Sequence, residues 1–260
     1  MRKFISNKYT IFALGLIFFL AVWWIISLCV DTNSIILPSP IETFKEAFRL
    51  MGDPYTYICL GKSLLRMLIG FLISFVIAAI LSLIVNGNEK RYQFFAPTMT
   101  FMKAVPTVAL VFLFIVISGA EDAPIFVVVL IALPIIYEAM VSGLKSPDRS
   151  IIEAAKVDGA NEISTLFKIK VPIALPYIIV GVVSSFSLSF KVEIMSEVVT
   201  GFTKNGLGSL IKATQVSDPT NMITIFGYSL IAVVAMLIIT LVIDILKKTL
   251  IKKEKVLQRL

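Results

Sequence analysis

Six stretches free of Asp, Glu, Lys and Arg constrain this chain more than any other feature. They cover 9–30, 67–88, 104–120, 123–137, 171–190 and 219–243. A helix that crosses a bilayer needs about 20 largely apolar residues. Four of the runs reach that length nearly or fully, and the two central ones reach it when extended past Lys103 or Glu138. The reading is an all-α polytopic membrane protein of six transmembrane helices, at about 10–30, 63–85, 94–118, 124–144, 176–196 and 222–246, forming a single membrane domain over 1–260. The chain is 58% hydrophobic with a mean hydropathy of +0.93, whereas a soluble domain is nearer half apolar. The first run has a basic start, but its 22 uncharged residues exceed a signal peptide's core and no small-x-small cleavage site follows. It reads as an uncleaved first helix.

Lys and Arg placement sets the expected orientation. Basic residues cluster at the N-terminus (Arg2, Lys3, Lys8), at Lys90 and Arg91, over 145–170, and in the tail from Lys247 onward. They alternate with a short loop holding Glu121 and Asp122 and no cation. Both termini are therefore expected on the cytoplasmic side of the membrane. The net charge of +7 is mostly this topology pattern, and its spread along loops argues against nucleic-acid binding. Membrane lipid is the expected surrounding.

The composition excludes several chemistries. There is no histidine, which removes the commonest general base and metal ligand, so no metal site is expected. No G-x-x-x-x-G-K-[ST] occurs, so the chain cannot hydrolyse ATP by that route. Cys29 and Cys59 both fall toward the external side, either as a disulfide or as two buried thiols.

Between the runs, Leu37-Pro38-Ser39-Pro40 ends the first helix, and 41–51 has the spacing of an amphipathic surface helix. Trp23-Trp24 read as an interfacial aromatic belt. Pro97 and Pro106 interrupt the third span. Gly201, Gly206 and Gly208 predict an external loop or re-entrant segment over 200–218.

The polar loop at 147–172 is the most telling segment. Ser150 and Glu153 have capping-box spacing, which predicts a helix beginning near 151. Ala154, Ala155 and Lys156 favour that helix. Gly159 can end it in a left-handed conformation, and Asn161 can cap a second short helix that stops before Pro172. Small alanines exposed between charges let another surface approach. From the residues alone, a docking element and an ordinary interfacial hairpin remain equally open.

The pattern Glu153-Ala154-Ala155, Gly159, Ile169, Val171, Pro172 resembles the loop signature of the permease subunits of bacterial ATP-binding-cassette importers. Val171 stands where Leu is usual. Leu37-Pro38-Ser39-Pro40, Ser63-Leu64-Leu65-Arg66, Lys103-x-x-Pro106, the stretch from Gly143 to Gly159, Glu197 and Gly206-Leu207-Gly208 resemble the subgroup that imports sulfonates, taurine, nitrate and related nutrients. The resemblance runs from about 37 to 245. It implies a coupling loop that enters a cleft of a separate ATPase subunit, with Glu153, Ala154, Ala155 and Gly159 as contact and hinge positions and Ile169 and Pro172 as anchors. It implies a homodimer of permeases, an extracytoplasmic substrate-binding protein, alternating access, and no cofactor bound directly, ATP being used by the partner.

Charges within the spans usually face a cavity or a partner, since one at the bilayer centre costs at least about 2.5 kcal/mol. Lys103 lies nearly mid-membrane if the third span starts at Phe94, or at the cytoplasmic edge if 92–102 is interfacial. The second is preferred, because 104–120 is nearly long enough alone. Lys103, Pro106, Lys191, Glu193 and Glu197 are the candidate translocation residues. Glu193 and Glu197 share a helix face, which calls for a basic neighbour, water or exposure. The alternative function is a stand-alone secondary transporter or channel, for which paired half-repeats with embedded charges are lacking. An intramembrane enzyme is the third, weakened by the absence of a nucleophile–base pair.

Overall fold

A computed structural model of the chain describes residues 8–30, 36–201 and 204–257. Arg2, Lys3 and Arg259 of the charge pattern, and residues 202–203 of the glycine-rich segment, lie outside these. Every regular element among the described residues is helical. Among the described residues, five helices are long and apolar enough to cross a membrane, and a sixth crossing results if one bent pair counts as a single span.

The first helix, α1 (Lys8–Cys29), buries none of its apolar span against the rest of the chain. Its main tie is Trp23, half-buried, whose indole Nε1 donates to the carbonyl of Pro38 at 3.2 Å. Trp24 is exposed. Cys29 is an exposed free thiol and Cys59 a buried one, so neither the disulfide nor the pair of buried thiols is found.

The amphipathic segment forms α2 (Pro40–Met51). Ser39 caps it: the Ser39 Oγ accepts from the Glu42 N–H at 3.3 Å, and Glu42 accepts from the Ser39 N–H at 2.9 Å. Glu46 on α2 accepts from Arg49 Nε at 2.7 Å and from Thr224 Oγ1 at 2.8 Å, which ties α2 to the last helix. The Arg49 hydrogen bond, aided by Thr224 and outweighing desolvation, holds the Glu46 carboxyl below its ordinary 4.5. A depressed folded value means that Glu46 adds stability above about pH 4.5 and loses it as pH falls through the lowered value. Wild-type melting temperature should therefore fall on acidification, and Glu46→Gln should lessen that fall. Parallel melting curves for the two proteins below about pH 5 would contradict the linkage. The effect is small, because Arg49 is largely exposed.

The second span is longer than expected. Helix α3 runs Pro54–Val85, 32 residues, rather than from Lys62. Asp53 caps it by accepting from the Tyr55 N–H at 2.9 Å, and Pro54 occupies the first turn, where its missing N–H costs nothing. At 1.5 Å per residue the helix is about 48 Å long, more than the roughly 30 Å hydrocarbon layer, so its first turns stand outside the membrane.

The third run is bent. Helices α4 (Glu89–Ala104) and α5 (Thr107–Ser118) meet at 97°. Pro97 stays inside α4, and the break falls at Val105-Pro106. Val105 adopts extended backbone (φ −68°, ψ 129°), as a residue before proline prefers.

Helix α6 (Ala123–Lys145) is the centre of the bundle, packed most extensively against α3 and against α9 (Val171–Thr200). Small residues set these distances. A Cβ placed on Gly181 would come within 2.1 Å of the Ala139 Cβ, and one on Gly70 within 2.7 Å of the Ile125 carbonyl. The core runs along these three helices through Met67, Phe71, Ala78, Ala132, Ile136, Tyr137, Met140 and Phe190.

Between α6 and α9 lie the short helices α7 (Arg149–Val157) and α8 (Glu162–Thr165), followed by a π-helical turn over Leu166–Lys170. After α9 come α10 (Leu207–Ser217) and the long α11 (Met222–Leu257), which continues past the charges expected to stop it at Lys247.

Candidate functional site

Helix α9 spans the molecule, with a candidate site at each end. Thirty residues at 1.5 Å separate them by about 45 Å.

At its start is the polar loop. Helix α7 begins two residues before the expected position, because Asp148, not Ser150, is its N-cap. The Ser150–Glu153 capping box does not form, and Glu153 lies exposed in the second turn. The other end follows expectation. Gly159 has φ +83°. Its N–H donates to the Lys156 carbonyl at 3.0 Å, and the Ala160 N–H reaches back to the Ala155 carbonyl at 2.9 Å. This is a Schellman closure, which needs a left-handed residue at the position of Gly159. Asn161 then caps α8, its Oδ1 accepting from the Ser164 N–H at 2.7 Å. Pro172 does not end the helix. It sits in the first turn of α9, directly after the π turn, so α8 to α9 is one helical rod over Glu162–Thr200. The widened turn falls where the Pro172 ring removes a backbone donor.

No residue of α7 is buried. Ala154 and Glu153 are exposed, Ala155 and Ile169 half-buried, and Pro172 exposed. Val157 is 88% and Ile163 69% exposed, with Ile151 and Phe167 also outward. This end of the molecule therefore presents an amphipathic helix whose apolar side is not covered by its own chain.

At the far end of α9, Glu197 is wholly buried. It accepts from the Ser63 Oγ at 2.7 Å, from Arg66 at 3.0 Å and from the Gly208 N–H at 2.9 Å. Arg66 also donates to the Lys204 carbonyl at 2.6 Å and lies 3.5 Å from Glu121. The Ser63 Oγ accepts from the Leu207 N–H at 2.9 Å. One carboxylate thus joins α3, α9 and the start of α10. The glycines make room for it: a Cβ on Gly206 would lie 2.5 Å from the Glu197 carboxylate, and one on Gly208 2.6 Å from its Cβ. Glu193, one turn earlier, is also fully buried, and neither of its oxygens has a hydrogen-bond partner. The two carboxylates share a face as their spacing requires, and the basic neighbour is Arg66. Ser63 and Arg66 were absent from the candidate list. Their signal was present, since Arg66 is the one charge between Lys62 and Glu89.

The remaining candidates lie elsewhere. Lys191 is exposed, away from this cluster's bonds. Lys103, at the end of α4, pairs with Glu138 on α6 at 2.6 Å, both side chains nearly half exposed. Pro106 is exposed at the elbow between α4 and α5. Beside Glu138 runs an open groove lined by Ala139, Ser142, Tyr177, Gly181 and Ser184. The five pathway candidates therefore do not form one site: Glu193 and Glu197 lie together, Lys103 and Pro106 lie near the elbow, and Lys191 stands apart.

A multi-pass helical bundle, pinned by a buried ionic cluster at one end and carrying an uncovered amphipathic helix at the other, is the architecture of a membrane transport subunit. Residues 70–256 match the family described as binding-protein-dependent transport system inner membrane component, and the chain belongs to it. It is the permease subunit of an ABC importer. A probable ABC transporter permease protein of Brucella melitensis is 26% identical over 74% of this chain and 77% of its own. The putative aliphatic sulfonates transport permease protein SsuC of Bacillus subtilis is 24% identical, over 78% of this chain and 74% of its own. The fold is shared with a chain of the MetNI methionine ABC transporter solved in inward-facing conformations, at TM-score 0.63 and 16% identity over 76% of this chain and 98% of that one.

Proposed function

We propose that α7 is the coupling helix of this permease, docking into a separate ATPase subunit, and that two copies of the chain enclose the pathway. The observation that carries the reading is the exposed apolar side of α7, with Val157 at its end, together with Ile163 on α8. Glu153, Ala154 and Ala155 form the contact, Gly159 is the hinge, and Ile169 and Pro172 pass the motion into the rod of α9. The α7 end faces the cytoplasm, where ATP is, and both termini lie on that side. The chain has no ATPase site of its own and binds no cofactor.

The half-exposed Lys103–Glu138 pair supports the dimer. If the pair lies within the hydrocarbon layer, facing lipid would carry the cost of charge there. The groove along α6 and α9 therefore faces water or a second copy, and closes into a pathway when two copies meet. Alternating access follows: ATP binding draws the two α7 helices together, and the pathway opens outward to a binding protein. Sulfonate, taurine, nitrate or a related small nutrient is the proposed cargo, in line with the subgroup resemblance and the SsuC relative.

Co-purification tests the reading. The chain should bring down an ATPase carrying a phosphate-binding loop. Deleting 150–165 should abolish that association while the protein still inserts. Full transport without any ATPase would instead make the chain a stand-alone transporter.

A further inference from the structure

A polar cleft of about 350 Å³ lies beneath the coupling loop, lined by Asn86, Gly87, Asn88, Arg91, Ile152, Lys156, Glu162, Thr165 and Lys170. Three cations reach it from three separate segments: Arg91 from α4, Lys156 from α7, and Lys170 from the π turn. Two are positioned by neutral groups. Arg91 donates to the Ile84 carbonyl at 3.0 Å, and Lys170 to the Asn86 Oδ1 at 2.9 Å. Neither contact offsets charge. Glu162 is the one acidic residue in the lining, and among the described residues it makes no ion pair with any of the three. The nearby Lys145 is already neutralised by Glu89 at 3.0 Å.

Glu162 offsets at most one of the three positive charges, so the cleft stays net positive and gains from a further anion. The cleft also sits at headgroup level, since the apolar run of α3 ends at Val85 and the lining begins at Asn86. Around it, Ile84, Phe94 and Phe167 are exposed. These suit acyl chains and interfacial packing, and a soluble anion would leave them unused. Basic pockets of this kind at the cytoplasmic surface hold anionic headgroups.

We propose that this cleft binds a phosphate group, presented as the headgroup of an anionic phospholipid of the adjoining leaflet. The headgroup ties the α3–α4 turn to α7 and to the root of α9. Its consequence for coupling rests on the docking role of α7 given above, but the binding itself does not.

The test uses the full chain, purified and stripped of lipid in neutral detergent. Phosphatidylglycerol, phosphatidylcholine and inorganic phosphate are titrated separately. Bound lipid is read by native mass spectrometry and protection by thermal melting. Phosphatidylglycerol should bind saturably and raise the melting temperature, and phosphatidylcholine should not. Arg91→Gln and Lys156→Gln should each weaken phosphatidylglycerol binding about fivefold, the loss of one cation at a membrane surface. Lys168→Gln removes the same charge from an exposed position outside the cleft, and should leave binding unchanged. The Lys156 ammonium has no hydrogen-bond or ion-pair partner among the described residues, so its variant keeps the test open should Arg91→Gln misfold. Arg91→Lys should restore most of the binding. Equal binding of the two lipids, or an equal loss in Lys168→Gln, overturns the site. Inorganic phosphate that protects the stripped chain and displaces phosphatidylglycerol overturns the lipid source and assigns the cleft to a soluble phosphate ester. Loss of ATPase co-purification would bear on the docking reading alone.

Discussion

Glu197→Ala is expected to be the most destabilising single substitution in the bundle, by about 3–5 kcal/mol, the usual cost of removing one partner of a buried ion pair. The carboxylate serves three donors from two other elements, Ser63, Arg66 and the Gly208 N–H. Removing it leaves Arg66, which is 8% exposed, with the Lys204 carbonyl and the longer, half-exposed ion pair to Glu121 at 3.5 Å. It also orphans the Gly208 N–H. Melting of the purified protein should fall by roughly 10 °C. Glu197→Gln should fall less, because the amide oxygen still accepts from Ser63 or Gly208 although the charge is gone. Arg66→Lys should resemble the alanine variant more than the wild type, since one ammonium cannot reach both Glu197 and the Lys204 carbonyl as a guanidinium does. A melting temperature for Glu197→Ala within a degree or so of wild type would mean that α10 is not held to α3 through this carboxylate.

That cluster marks the boundary of what the sequence could reveal. Local features were legible. The apolar runs set where helices lie, Asn161 caps the element it precedes, and Gly159 closes α7 in the left-handed region. Each depends on neighbours within a turn or two. The capping box at Ser150 failed because the helix starts two residues earlier, with Asp148 at the N-cap position although its side chain makes no cap bond. The prolines were read only in part. Pro106 breaks the third run while Pro97 does not, and Pro172 begins a helix it was expected to precede. Proline removes one donor and one neighbouring conformation, and whether a helix absorbs that depends on adjustments such as the π turn at Leu166–Lys170. The Ser63–Arg66–Glu197 cluster lay beyond reach for a different reason. Its partners are 131 and 134 positions apart, and no local pattern shows which charge of α3 meets which of α9. Two carboxylates on one face called for a basic neighbour, water or exposure, without deciding which.

Gly159→Val should abolish coupled transport while leaving the bundle folded, and the reason lies in what surrounds the residue. Gly159 has φ +83°, yet a Cβ there would meet nothing within 4 Å. The penalty of a side chain is therefore entirely one of backbone conformation, about 1–3 kcal/mol for a β-branched residue forced into the left-handed region. The valine variant escapes that cost by leaving the region, which breaks the Schellman bonds from Gly159 to Lys156 and from Ala160 to Ala155. Helix α7 then points elsewhere relative to the rod of α8 and α9. The core of α3, α6 and α9 has no contact with that residue, so melting should change little. ATPase stimulation and uptake by the assembled importer should be lost. The order of activity should be glycine, then asparagine, then alanine, then valine, following tolerance for positive φ rather than side-chain volume or polarity. An alanine variant more active than the asparagine variant would show that openness matters and conformation does not. A valine variant with wild-type uptake would remove α7's orientation from the coupling mechanism.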